Sequence, residues 1–533
     1  MIRIQQIKLP LSHKAKDLDK KVLNILSIPK EDLRSLMIYR QSIDARKANQ
    51  VFYHYIVDVE IKNEKKVLEK VLSNPKYKTH IQQHESGSYR FPSRKENSIS
   101  SYLRPIIIGA GPAGLFCALM LAEHGFSPLV LERGDGAELR KQKVEDFWKS
   151  GLLDPESNVQ FGEGGAGAFS DGKLTTSIKD TSFRSRKVLE IFTECGADPK
   201  ILTWYKPHIG TDVLQKVILE LRRRILRAGG EIRFRHQLSD IFIENGKIQS
   251  IEINSEKILP VHSLVLAIGH SARDTFRMLS QKGLLCKAKS FSVGFRVQHP
   301  QEMISSRQYG NLAHLCPPAE YKLSTKTSSG RSVYSFCMCP GGYVVNASSQ
   351  AHHLAVNGMS YSGRNGVNAN SAIVVSVNPD DFPQVENPLS GLDFQEQLER
   401  RAFSLEQGKI PIQLYGDFQK DQSSTKADLI QPQIKGAYAY SNLTSILPGT
   451  LNQDFIEAMD LFGQKIPDFN RQDCILSAVE SRTSSPLRIE RDEHFESNIS
   501  GIFPCAEGAG YAGGITSAAI DGIKIAEAVA KQL

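Results

Sequence analysis

The sequence predicts an α/β fold in which a parallel sheet flanked by helices is interrupted by an α+β insert and preceded by a small α/β unit. Three observations carry this. A β-branched run at 106–108 leads through a glycine turn into an apolar helical stretch at 115–124, as expected for a strand buried on both faces of a parallel sheet. A second strand–turn–helix, 501–505 to 517–529, closes the chain. Between them, residues 285–475 lack any strand–helix alternation.

The elements follow in order. Residues 2–9 read as a strand. Residues 17–26 read as a helix with Leu18, Val22, Ile25 and Leu26 at helical spacing, ended by Pro29. Residues 37–45 and 51–61 are rich in β-branched and aromatic residues and read as strands. Residues 74–104 are polar and read as a crossing between domains. Beyond the 115–124 helix, Gly125 stands where a C′ glycine belongs, and 129–131 is the next strand. Residues 211–228 form an amphipathic helix, opened by Thr211 and Asp212 and closed by Gly229 and Gly230. Short strands follow over 231–259, with Asn245-Gly246 as a hairpin turn, and 264–268 is an apolar strand ending at Gly269. The resulting division is 1–95, a small basic unit; 105–284, the first part of the sheet domain; 285–475, the insert; and 476–533, the return to the sheet.

Composition bounds the function. With 533 residues, 40% hydrophobic and 23% charged, the chain has apolar material for several domains, and global disorder is excluded. No stretch reaches the roughly 20 apolar residues that span a bilayer. The opening MIRIQQIKLPLSHK lacks the apolar centre of a secretory signal. Eight cysteines are too few for a disulfide scaffold, so a reduced cytoplasmic protein with no membrane partner is expected. The net charge of +8 is uneven: residues 1–104 carry 21 basic and 11 acidic residues, a net of +10, leaving −2 for the rest. A solvated Lys-rich unit is the plainer reading, because the basic residues are scattered; a surface for nucleic acid is the alternative.

Three segments match G-x-G-x-x-G, and context separates them. Gly109, Gly111 and Gly114 sit between a strand and a helix. Gly109 permits the tight turn, Gly111 lets a pyrophosphate approach the backbone, and Gly114 lets the helix pack on the strand. The helix N-terminus offers free N–H groups to the phosphates. The next strand ends at Glu132, 18 residues past Gly114, where an acid accepts ribose hydroxyls and repels a 2′-phosphate. This is a Rossmann-like dinucleotide site. The segment 160–174 (QFGEGGAGAFSDGKL) has no such context and reads as a backbone cradle for an extended ligand. The last match, Gly508, Gly510 and Gly513, is followed by only 20 residues, so it must complete the sheet begun earlier, with Glu507 before its glycines. Gly513, Gly514 and Ile515 would aim helix-end N–H groups at an anionic acceptor.

This two-ended arrangement resembles the glutathione-reductase-type FAD-binding fold. The proline in Gly109-Ala110-Gly111-Pro112-Ala113-Gly114, with Glu132-Arg133, suits FAD better than NAD. The stretch SLVLAIGHSA at 263–272, including Gly269, is similar to that superfamily's "ATG" segment, and GIFPCAEG at 501–508 to its "GD" motif, with Glu507 replacing the usual Asp. More closely, the whole chain resembles a bacterial family of largely uncharacterised FAD-dependent dehydrogenases through 158–174, SFCMCPGGYVVN at 335–346, NGMS at 357–360, VESRTSSPLRI at 479–489 and 505–522. The resemblance implies FAD, an oxidoreductase, and cofactor contacts from the residues above together with Gly165, Ala166, Gly167, Ser170, Asp171, Gly172, Lys173 and Leu174.

The expected function is therefore FAD-dependent oxidation or reduction of a small organic molecule. Rival readings are a flavin-dependent RNA-modifying or RNA-associated protein and a non-catalytic FAD-binding protein. The superfamily's cysteine pair near the first turn is missing, since Cys195 is the next cysteine after Cys117, so the reading as one of its disulfide reductases falls. No second complete dinucleotide turn exists, so NAD(P)H or another donor would visit transiently. Candidate catalytic residues are Cys337 and Cys339, a thiol pair facing substrate, and Arg482, an anchor for an anion or for charge on the flavin. The plainer alternatives are a buried strand end for the cysteines and an arginine paired to a carboxylate. His208, His270, His352 and His353 read as structural or surface histidines. No metal site is expected, because H-E-x-x-H and paired C-x-x-C are absent, and G-x-S-x-G is absent too.

Overall fold

The computed structural model describes residues 1–84, 87–92 and 104–533. Positions 85–86 and 93–103 of the expected crossing lie outside the described residues. Ahead of it, strands Leu33–Asp44, Phe52–Ile61, Ile2–Pro10 and Ile81–Gln83 pair in that order as one antiparallel sheet. Helix Ala15–Leu26 buries Leu18, Val22 and Leu26 against it.

The central element is a five-stranded sheet in the order Ile502–Pro504, Leu264–Leu266, Ile106–Ile108, Leu129–Glu132, Glu231–Phe234, parallel throughout. The C-terminal strand and the first one thus flank the same neighbour, and the turns that follow them open on one edge. Helix Pro112–Glu123 is buried on every side from Ala113 to Ala122, which explains its uniformly apolar sequence. It begins at Pro112, three residues earlier than the hydrophobic pattern suggests, because proline is tolerated at the first helical position. Helix Ile515–Gln532 crosses it so closely that a Cβ at Gly522 would stand 2.2 Å from the Ala113 carbonyl oxygen. Asn245 and Gly246, both at positive φ, turn Leu238–Glu244 back onto Lys247–Ile253, as the hairpin signal requires.

The insert is built on a seven-stranded sheet running Ser324–Lys326, Ser332–Cys339, Asn368–Val377, Phe291–Pro300, Ile475–Glu480, Ile410–Leu414, Tyr438–Tyr440. All pairs are antiparallel except the last. The return to the parallel sheet was expected at 476. Instead Ile475–Glu480 pairs with Phe291–Pro300, so the return lies beyond Glu480. An apolar run such as ILSAV reads the same whether it is buried in a parallel or in an antiparallel sheet. The two crossings between the halves lie side by side, with Cys286–Ala288 antiparallel to Leu487–Ile489. Among the described residues no helix is long and apolar enough to cross a membrane.

Candidate functional site

A cavity of about 560 Å³ lies where the first turn, the second glycine loop, the C-terminal turn and the insert meet. A larger one, about 1300 Å³, opens between the N-terminal unit and the body, away from these motifs. The smaller cavity holds the chemistry and is built from the backbone upward.

Gly109 has φ +101°, and its N–H donates to the Leu131 carbonyl at 2.8 Å, so the turn leaves its strand sharply. A Cβ at Gly114 would strike the Gly109 carbonyl at 1.9 Å; glycine there sets the packing of helix on strand. Gly111 faces Gly165 across the cavity, and a Cβ on it would meet only the Gly165 Cα, at 3.8 Å. The N-terminus of helix Pro112–Glu123 carries no side-chain cap, nor does that of Ile515–Gln532, and both open on this space. Cβ atoms at Gly269 and Gly514 would meet nothing within 4 Å. The residues present therefore leave a cavity lined by glycine turns, with an uncapped helix N-terminus at two points, which fits a dinucleotide.

Glu132 does more than its position in sequence suggests. Its Oε2 accepts from the Ala110 N–H at 2.7 Å, and its Oε1 from the N–H groups of Gly134 and Gly162, each at 2.9 Å. One carboxylate thus ties the two glycine loops together and retains one lone-pair site for a ribose hydroxyl. Arg140 braces the second loop from beneath. It is almost wholly buried and donates to the carbonyls of Asn158, Val159, Gly162, Glu163 and Gly165 at 2.7–3.2 Å. Burial pulls its guanidinium down to about 10. Sequence reasoning missed it. The signal was there, since Arg140 falls on the same helical face as Val144 and Phe147, both buried.

Arg133, Ser170, Asp171 and Lys173 line the cavity too, but their polar groups bind the protein. Arg133 binds Glu156 and Asp274 and stacks 4.2 Å from the Phe161 ring centre. Asp171 pairs with Arg364, through Nε at 3.0 Å and through Nη2. Ser170 Oγ donates to the Gly167 carbonyl at 2.8 Å, and Lys173 donates to the Met338 carbonyl. Gly165, Ala166, Gly167, Pro112, Ala113, Gly513, Gly514 and Ile515 face the cavity. Ala110, Gly114, Gly172, Leu174, Gly508 and Cys339 stand behind its lining: Leu174 is buried against Thr516, and a Cβ at Gly508 would sit 2.7 Å from the Gly269 carbonyl oxygen. The segment 160–174 is thus a cradle of backbone whose polar side chains serve the protein.

His270, read from the sequence as structural or surface, is buried at the cavity. It lines the cavity, its Nδ1 lies 2.9 Å from Glu507 Oε1, and its buried Nε2 has no partner among the described residues. At the other end stand Phe336, Cys337, Asn357 and Arg482. Arg482 is held by Glu399 through Nε and Nη2, both at 2.8 Å, and by Ser271 and Ser349 through Nη1. Its guanidinium is therefore paired to a carboxylate, the plainer of its two readings. The Cys339 thiol donates to the Cys337 carbonyl at 3.3 Å, and the Cys337 thiol falls to about 6 beside Cys339 and against its burial, helped by the Arg296 and Lys173 charges.

Comparison with known proteins gives these segments a family. Residues 290–483 match the family described as FAD-dependent protein, C-terminal domain-like; 107–140 match an NAD(P)-binding Rossmann-like domain; and 1–60 match a domain of unknown function. An uncharacterized protein of Clostridium beijerinckii is 45% identical over 533 residues, covering 99% of this chain and 98% of its own. Among solved structures, the flavin-dependent brominase Bmp2 aligns over 80% of this chain and 79% of its own at 13% identity and a TM-score of 0.37. The halogenase PltM, in complex with phloroglucinol and FAD, aligns over 79% and 67% at 11% identity and 0.36. The cofactor is FAD, and the chain, with its Rossmann-like α/β fold, belongs to the family of the Clostridium beijerinckii protein.

Proposed function

We propose that this protein is an FAD-dependent oxidoreductase that moves an electron pair to or from a small organic substrate, with the glutathione-reductase-type arrangement of its FAD. The observation that carries the reading is convergence. The turn after Ile106–Ile108 and the turn after Ile502–Pro504 leave strands of one sheet, and both line one cavity whose remaining wall comes from the insert. When bound, FAD supplies the hydride and electron chemistry. The chain's own residues bind and orient it. Gly111 and the uncapped start of Pro112–Glu123 receive the pyrophosphate. Glu132 accepts from the ribose. The start of Ile515–Gln532, behind Gly514, places partial positive charge where a reduced flavin gains negative charge. His270 and Glu507 meet the polar chain between these ends, with the free His270 Nε2 available to it. Phe336, Cys337 and Asn357 close the substrate side.

Purified protein is expected to be yellow, to release FAD on denaturation at close to one per chain, and to bleach with dithionite or a nicotinamide donor and recover with an acceptor. Colourless protein that takes up no added FAD would overturn the reading, as would a bound flavin inert to every donor and acceptor.

A further inference from the structure

We propose that Cys337 and Cys339 are a redox-active dithiol at the insert end of the FAD cavity and that their substrate is a small-molecule disulfide. The proposal deepens the oxidoreductase reading and rests on it for repeated turnover; its first half-reaction requires the two thiols alone.

The strand itself sets up the pair: Cys337 and Cys339 stand at the end of Ser332–Cys339 with Met338 alone between them. Its pairing with Asn368–Val377 slips between Phe336 and Cys339, and Cys337 takes φ +45°. A bulge of this kind re-aims a side chain. Here Cys337 lines the cavity, half-buried, while Cys339 is fully buried behind it, its thiol donating to the Cys337 carbonyl at 3.3 Å. Two cations attend the segment. Arg296, itself wholly buried, donates to the Cys337 carbonyl at 3.1 Å and lies 4.0 Å from Cys339 Sγ; Lys173 donates to the carbonyl of Met338 between them. Glu480 and Asp171 are the facing acids, and each is already paired, with Arg296 and Arg364.

The other six cysteines are different. Burial raises the thiols of Cys117, Cys195, Cys286, Cys316, Cys474 and Cys505. Cys337 alone is lowered, to about 6, first by the neighbouring Cys339 and then by Arg296 and Lys173. A lone nucleophile has no use for a second thiol two residues away, whereas thiol–disulfide exchange needs one to resolve the mixed disulfide. A ring closed through a single intervening residue is strained, which makes its disulfide labile and oxidising and suits transfer over structure.

The exchange balances as follows. The Cys337 thiolate attacks one sulfur of R–S–S–R′; the Cys337–S–R bond forms, the substrate S–S bond breaks, and R′–S⁻ leaves with a proton. Cys339, deprotonated, attacks Cys337 Sγ and expels R–S⁻, which takes the second proton. The substrate gains two electrons and two protons as two thiols, and the dithiol becomes the Cys337–Cys339 disulfide.

The test uses the full-length protein, with and without FAD, treated at pH 6 with bis(2-hydroxyethyl) disulfide and then digested. In the wild type the peptide bearing both cysteines should lose two hydrogens. In Cys339→Ser it should instead carry a stable mercaptoethanol adduct, and Cys337→Ser should slow reaction at this peptide at least tenfold. With iodoacetamide at pH 6, Cys337 should react about tenfold faster than an unperturbed thiol, after allowing for the weaker nucleophilicity of a low-pKa thiolate. Its rate should level off above about pH 7. A wild-type protein that stops at the mixed adduct, or in which Cys337 reacts no faster than Cys286 and Cys316, overturns the dithiol. A yellow protein with inert thiols sinks this proposal and spares the flavoenzyme reading. Reactive thiols in a protein that never binds FAD do the reverse.

Discussion

Glu163 shows how far one side chain in the second glycine loop is held from its ordinary chemistry. It is fully buried; Oε2 accepts from the Ala137 N–H at 2.8 Å, while Oε1 finds no partner among the described residues. Burial raises its carboxyl from 4.5 to about 7, against the pull of Arg222 at 3.2 Å. Between those two values the folded protein holds a proton that the unfolded chain has released. Stability is therefore lost as pH rises from about 4.5 to about 7, and the loss is complete above it. Glu163→Gln removes the ionisation. The variant should be more stable than the wild type by about 1–3 kcal/mol at pH 8 and should differ little from it at pH 5, by urea unfolding at both. An unchanged difference between the two pH values would show that Glu163 is ionised throughout. Such residues are the part of the site the sequence hides. Glu132 was legible because its spacing from the glycines is fixed by one strand. Arg140 and Glu163 act through carbonyls and amides brought together by the fold, and no motif spacing reports that.

At the scale of elements, the parallel sheet was legible and the insert was not, for one physical reason. Strands such as Ile106–Ile108 and Leu264–Leu266 are short apolar runs punctuated by glycine turns and amphipathic helices. Phe291–Pro300 and Asn368–Val377 are also buried almost end to end, so they show no alternation, and their partners lie far away in sequence. Polar residues inside them, Arg296, Gln298, Asn368 and Asn370, hydrogen-bond one another or nearby groups and masquerade as loop. The first turn separates fold from ligand within one element. Gly111→Ala puts a Cβ in ordinary van der Waals contact with the Gly165 Cα, at 3.8 Å and with an ordinary φ of −73°, whereas Gly114→Ala drives one into the Gly109 carbonyl. Gly111→Ala should keep the wild-type melting temperature without FAD yet bind FAD about 10–100-fold more weakly, because the pyrophosphate loses its close approach. Gly114→Ala should lose about 1–3 kcal/mol of stability as well. Differential scanning fluorimetry with FAD titration reads both quantities, and equal FAD affinity in Gly111→Ala and wild type would remove the turn from the site.

Across the whole molecule, the two halves are joined by more than the paired crossings at Cys286–Ala288 and Leu487–Ile489. Arg273, at the start of a helix from the sheet half, and Arg482, beyond the last insert strand, both bind Glu399 on the insert helix Ser390–Glu406. All three are more than nine-tenths buried. Burial alone would raise Glu399, but Arg273 and Arg482 outweigh it and hold the carboxyl well below its ordinary 4.5. Its contribution is present above about pH 4.5 and is lost as pH falls through the lower folded value. Removing the charge exposes the asymmetry of buried ion pairs: two guanidiniums lose the carboxylate that binds them both, with Glu396 alone left to act on Arg273. Glu399→Gln should therefore cost about 3–5 kcal/mol, measured by urea unfolding at pH 7. Because Arg482 lines the cavity, the same variant should also weaken FAD or shift its visible spectrum. Asp393, earlier on the same helix and paired with Arg277 at the surface, is the control; Asp393→Asn should cost under about 1 kcal/mol and leave the flavin unchanged. Equal losses from the two variants would mean that the triad does not tie the halves together, and the insert would then be expected to unfold independently of the parallel sheet.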